Sequence, residues 1–216
     1  MLDAHGSLDM SHGYPVHYSV TPPARFTRLQ LFIRVVAFCA IGVIGLSFGM
    51  IFLFGYLALA VFAATRLASR QADEYLGQDG PRIVSVLRWF AAISAWTALI
   101  AEHLPGHSPD ETVRIEIEPT TAQPTPSSAI WRVVSGIPSA LVLGVLCWIG
   151  TFVWLWAALS ILVAQRVGPH AFAYLVGLQR WSIRLLAYQA SLVDEYPPFS
   201  LSELASLPVA TARVTP

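Results

Sequence analysis

A chain of 216 residues with 55 % hydrophobic and only 12 % charged side chains, and a mean hydropathy of +0.59, is too apolar for an ordinary soluble domain, where about a quarter of residues carry charge. Thirteen basic residues, all arginine, balance thirteen acidic ones, so the net charge is zero and no nucleic-acid partner is expected. The composition selects the lipid bilayer as the partner instead.

Residues 1–13 are polar and lack a basic stretch leading into an apolar one, so they read as a disordered start without a cleavable signal. Val16 to Val20 has the β-branched content of a strand and leads into a proline-containing turn. From Val35 to Thr65 the chain then runs 31 residues without Asp, Glu, Lys, Arg or His. A charge at a bilayer centre costs roughly 2.5 to 3.5 kcal/mol, so such gaps are what lipid selects. A helix of that length would reach about 46 Å, beyond the ~30 Å hydrocarbon core. A turn is therefore expected at Ser47-Phe48-Gly49, giving a transmembrane hairpin over 29–68 with arms Leu29–Gly45 and Met50–Ala68. A third helix follows at 81–104 and closes a first unit, 14–107.

The linker, 108–128, carries a second strand-like alternation at 113–118, which could pair with the first, and then a Pro/Thr/Ser stretch. A second unit, 129–201, repeats the order. Val133 to Ala164 is again free of charge for 32 residues, and Cys147-Trp148-Ile149-Gly150 near its midpoint predicts a hairpin over 130–165. Helix 170–195 has Gly177, Arg180, Arg184, Ala187, Ser191 and Asp194 on one side of a 100° wheel and a leucine-rich ridge on the other, which reads as an amphipathic helix at the membrane interface. A polar tail, 202–216, ends the chain.

The second half repeats the first. Arg34-Val35-Val36 returns 98 positions later as Arg132-Val133-Val134. Leu87-Arg88-Trp89 returns 92 positions later as Gln179-Arg180-Trp181, and Ala101-Glu102-His103-Leu104-Pro105 as Val193-Asp194-Glu195-Tyr196-Pro197. The expected fold is therefore all-α and integral to the membrane: two tandem repeats of a helical hairpin plus an amphipathic interfacial helix, each preceded by a short strand. Four spans with two surface helices put both termini and every arginine in the cytoplasm, as the positive-inside bias asks; six spans is the alternative.

A strand ending near proline, an apolar hairpin, an Arg-Trp-bearing helix and the exit Asp194-Glu195-Tyr196-Pro197-Pro198-Phe199-Ser200 resemble bacterial membrane proteins of domain-of-unknown-function family 4389. The resemblance runs over both units, roughly Tyr14 to Leu201, although the first unit departs at its exit with Leu104-Pro105-Gly106. It implies a topology and no activity.

Arg34, Arg88, Trp89, Arg132, Arg180, Trp181 and Arg184 read as interfacial anchors, because arginine stems can snorkel to lipid phosphate and tryptophan favours the headgroup boundary. Gly45, Gly49, Gly136, Ala140 and Gly144 read as helix-packing positions that let neighbouring helices approach closely. Cys39 and Cys147 lie in different apolar runs and read as core packing. His5 and His12 with Asp3 and Asp9 could catch a metal, but an ordinary polar terminus is the reading adopted; no metal, cofactor or catalytic residue is expected. The charge-free runs also argue against a proton or ion path. The sequence thus points to a non-enzymatic, multi-pass protein of the bacterial inner membrane, a scaffold or accessory subunit with a protein partner or as a homo-oligomer. A membrane-shaping protein and a small oligomeric channel or transporter are the alternatives.

Overall fold

The structure is a computed structural model that describes residues 14–23, 25–43, 48–118 and 123–201. The expected disordered start, the tail after 201, Gly45 and Ser47 lie outside these residues. The chain is mostly helical with one small sheet: β1 (Val16–Val20), α1 (Arg28–Val43), α2 (Phe48–Ser69), α3 (Ala72–Glu74), α4 (Gly80–Thr97), β2 (Val113–Ile117), α5 (Pro126–Ser135), α6 (Ile137–Ala164) and α7 (Pro169–Gln189). A π-helical turn, Tyr75–Asp79, joins α3 to α4.

The strands pair antiparallel, from Val16 opposite Ile117 to Val20 opposite Val113, and Glu118 N–H extends the ladder to Pro15 C=O at 2.8 Å. Their alternation is visible in burial: Val16, Tyr18, Val113 and Ile115 point into the core, while Ser19, Arg114 and Glu116 are exposed. The pairing anticipated from the sequence is thus present.

Helix α7 is the centre of the molecule, with α6, α2, α4, α5 and β1 packed around it. From Leu175 to Gln189 every residue except Ser182 is buried, so this helix does not lie on a surface as its wheel suggested. Its two faces are nonetheless real. The leucine ridge meets apolar helices, whereas the arginine face meets backbone: Arg184 Nε donates to Val16 C=O at 3.4 Å and Arg180 Nη1 to Leu201 C=O at 3.2 Å. Gly177 makes the second contact possible, since a Cβ there would lie 2.7 Å from the Leu201 carbonyl oxygen.

Helices α1 and α2 have nearly the bounds expected for the arms of the first hairpin, α1 ending at Val43 and α2 beginning at Phe48, but α1 packs against α6. The second hairpin is absent. Helix α6 continues unbroken through Cys147–Gly150 for 28 residues, and the break falls earlier, at Gly136, where Pro138 opens the new helix. Gly150 is used for close packing instead of reversal, because a Cβ there would sit 2.7 Å from Leu178 Cδ1 of α7. The linker is also shorter than expected: Thr125 caps α5 through a reciprocal pair with Ser128, and the helix starts at Pro126.

Among the described residues, two segments, Gly49–Ser69 and Ile137–Ala164, are long and apolar enough to cross a membrane. Only a narrow seam of α6 is covered, formed by Ser139, Leu143, Gly150, Ala157 and Ile161. Around it Leu141, Trp148, Phe152, Trp156 and Val163 stand outside, as do Phe54 and Val61 on α2. Cys39 and Cys147 are exposed too, so neither is a core residue; Cys147 falls on the uncovered side of the straight α6.

Candidate functional site

The most organised polar feature is a pair of buried arginines, each holding the exit of a later helix. Helix α4 ends as Leu99 takes a left-handed φ of 60°, and α7 ends as Ser191 takes a φ of 54°. The same hydrogen bonds close both ends. Ala98 N–H reaches Ser94 C=O at 2.8 Å and Ile100 N–H reaches Ala95 C=O at 2.9 Å; Ala190 N–H reaches Leu186 C=O at 2.9 Å and Leu192 N–H reaches Ala187 C=O at 3.1 Å. Every atom in the second set lies 92 positions after its counterpart in the first. This closure uses up some of the orphan carbonyls of a helix end and leaves those just beyond it to be met by side chains.

Arg34 and Arg132 meet them. Arg34, 0 % exposed, donates from Nη2 to Glu102 C=O at 2.6 Å and to Ala101 C=O. Arg132, 4 % exposed, donates from Nη1 to Tyr188 C=O at 3.2 Å and to Val193 C=O, and from Nη2 to the Asp194 carboxylate. Each guanidinium also lies over a ring of the helix it serves, Arg34 over Trp96 at 5.2 Å and Arg132 over Tyr188 at 4.7 Å. Trp96 and Tyr188 are again 92 positions apart. A guanidinium suits this task because its five rigid donors can serve several carbonyls at once, and those bonds offset the cost of burying its charge.

Two further arginines close the edges of the sheet. Arg184 caps Val16 on β1, and Arg88 Nη2 donates to Ile115 C=O on β2 at 3.2 Å while its Nε lies 3.7 Å from Asp110. Occupied edge carbonyls leave less for another strand to pair with. Arg184 also stacks on Tyr14 at 5.1 Å, and Tyr14 Oη donates to Glu195 C=O at 3.2 Å, so β1 is joined to the exit of α7. Burial raises the Tyr14 and Tyr18 phenols well above their ordinary range; nearby Arg184 offsets part of this for Tyr14 and Arg180 part for Tyr18.

The anchors read from the sequence therefore occupy two environments. Arg34, Arg132, Arg180 and Arg184 are buried among protein carbonyls and rings; Arg88 is half-buried at the sheet edge and Trp89 is exposed. Trp181 is buried, edge-on to Phe199 at 5.5 Å. Of the packing positions, Gly136 makes the closest approach, Ala140 is half-buried, and Gly49 and Gly144 are exposed. Gly136 sits where Gln189 Nε2 donates to Arg132 C=O at 2.8 Å and Tyr56 Oη donates to Val133 C=O at 2.7 Å. Gln189, Tyr56 and Tyr188 were not singled out from the sequence; the 92-residue spacing of Tyr188 from Trp96 was the available signal.

Residues 126–200 match a family described as Domain of unknown function (DUF4389). The match takes in α5, α6 and α7, together with Arg132, its partners and the Tyr196–Ser200 exit, and so supports the resemblance over this stretch. No curated protein and no solved structure matches the chain. The DUF4389 stretch thus contains one complete arginine clamp, and the other clamp lies before it.

Proposed function

We propose that the chain is an integral protein of the bacterial inner membrane, built from two tandem DUF4389-like units, and that it acts as a non-enzymatic scaffold or accessory subunit. The observation that carries the membrane reading is the uncovered apolar surface of α2 and α6. A helix that is apolar all round and covered along one seam would aggregate in water, and lipid is the solvent that accepts it. The tandem reading is supported by the two clamps, whose donors and ring partners recur with the sequence repeat. With α2 and α6 as the spans, both termini lie on one side of the membrane, which we assign to the cytoplasm.

A scaffold role follows from what the clamps do, which is to fix helix exits in place. A bilayer-wedging role would use α7 on a surface, and its burial favours the scaffold reading. The test is alkaline carbonate extraction of membranes, followed by mild detergent purification. Retention in the pellet with a stoichiometric copurifying protein, or a defined homo-oligomer, is expected. Release into the supernatant would sink the membrane assignment, and a monodisperse monomer without a partner would sink the scaffold assignment.

A further inference from the structure

A separate charge cluster forms where α2 ends. Asp79, the last residue of the π-helical turn, is 1 % exposed, and neither carboxylate oxygen accepts a hydrogen bond among the described residues. Three arginines converge on it: Arg66 Nε and Arg70 Nη1 each lie 3.7 Å from Oδ2, and Arg82 Nη1 lies 3.8 Å from Oδ1. These separations are about 1 Å longer than charge-assisted hydrogen bonds, so the aspartate gathers the guanidiniums without consuming their donors.

Of the two acidic residues of α3, Glu74 joins the cluster and Asp73 is engaged elsewhere. Glu74 lies 3.6 Å from Arg70, and Asp73 accepts from Gln123 at 3.3 Å. Arg70 spends one donor on Gln78 Oε1 at 3.0 Å, whereas Arg66 and Arg82 donate no hydrogen bond among the described residues. Arg66 lies over the Phe62 ring at 5.2 Å, beside the exposed apolar surface of α2, and Arg82 is 77 % exposed. Unspent planar donors, held in place at the end of an apolar helix, have the geometry that phosphate oxygens accept. A π-helical turn is moreover a rare conformation that concentrates at functional sites.

We propose that Arg66, Arg70 and Arg82, gathered by Asp79, bind the phosphate of an anionic phospholipid headgroup. The assignment of the phosphate to a lipid rests on reading α2 as a membrane span. The test uses the full chain in a non-ionic detergent, titrated separately with dihexanoyl-phosphatidylglycerol, dihexanoyl-phosphatidylcholine and inorganic phosphate, with the thermal unfolding midpoint as readout. Phosphatidylglycerol should raise the midpoint at a concentration at least about fivefold below that needed for phosphatidylcholine. Arg82→Gln, an exposed change that leaves the core intact, should weaken the response about fivefold, and Arg82→Lys should restore most of it. Arg114→Gln, a similarly exposed change on β2, should leave it unaltered.

Equal responses to the two lipids, or an Arg82→Gln curve that overlays the wild type, would overturn the site. A response to inorganic phosphate as strong as that to phosphatidylglycerol would overturn the lipid source. Carbonate extraction run alongside separates the two proposals. Retention in membranes without lipid preference overturns the site alone, whereas release with an Arg82-dependent response overturns the membrane reading alone.

Discussion

Replacing Gly136 with alanine would place a Cβ 2.4 Å from Gln189 Nε2, 2.5 Å from Tyr56 Oη and 3.0 Å from Arg132 C=O. The first two contacts cannot persist. Gln189 is fully buried, so its amide has no free volume to swing into, and the Tyr56 ring moves only as a rigid plate. The two donors that must yield are those serving Arg132 C=O and Val133 C=O, the last-turn carbonyls of α5 beside the Arg132 clamp. Arg132 C=O keeps the Gly136 N–H at 2.9 Å, whereas the Val133 carbonyl loses the Tyr56 hydroxyl; one such loss costs about 1–3 kcal/mol and the overpacking adds about 1–3 more, so Gly136→Ala should destabilise the fold by roughly 2–5 kcal/mol. Thermal and denaturant unfolding in detergent measure this. Gly136→Ala combined with Gln189→Ala should lose less than the sum of the two single changes, because the second removes the atom the first collides with. Gly144→Ala is the internal control: nothing lies within 4 Å of its Cβ, and alanine gains about 1 kcal/mol of helix propensity. Wild-type stability of Gly136→Ala, or strict additivity in the double variant, would refute the reasoning.

Arg132→Gln should destabilise by roughly 3–5 kcal/mol and should open the 193–201 segment to protease, since the Val193 carbonyl and Asp194 both lose their donor; an unchanged cleavage pattern would count against the clamp. Gly150→Val should be more damaging than Gly144→Val, and Leu178→Ala should partly rescue it in the same unfolding assay. Tyr14, Tyr18 and Tyr75 all have phenols raised above 10.0 by burial, so their contribution to stability is complete below pH 10 and is lost as the pH climbs beyond it. Tyrosine ionisation followed at 295 nm should therefore show a late phase above pH 10 that coincides with loss of helical circular dichroism; full ionisation near pH 10 with the fold intact would contradict this burial.

Parts of the fold were legible because they rest on local periodicity. The period-two alternation of Val113, Ile115 and Ile117 gave β2, and its pairing with Val16–Val20 followed from two short strands having one available partner each. The charge-free runs gave α2 and α6 their apolar character. The second hairpin failed for a reason that periodicity cannot resolve. A glycine may mark a chain reversal or a place where another helix comes close, and both demands select the same residue. Gly150 serves the second demand through Leu178, a contact 28 residues away in sequence, while the break at Gly136 is signalled only by the proline that follows two residues later.

The arginines show the same ambiguity in chemical form. A guanidinium beside an apolar run needs oxygen acceptors, and lipid phosphates, water and orphan backbone carbonyls all supply them. The helical wheel of α7 separates its arginine face from its leucine face correctly but carries no information about which acceptor covers the former. What distinguishes the choices is where backbone carbonyls are left over. For Arg34 and Arg132 these are the residues just past a left-handed helix terminus, and for Arg184 and Arg88 the outward carbonyls of a two-stranded sheet. The repeat contained this in outline, since each clamping arginine and the exit it holds recur together. Arg66 and Arg82 lie outside that pattern: they face the Asp79 carboxylate at 3.7 and 3.8 Å and donate no hydrogen bond among the described residues. On the proposed lipid site a headgroup phosphate would be the acceptor for these donors, at the apolar edge where Arg66 stands.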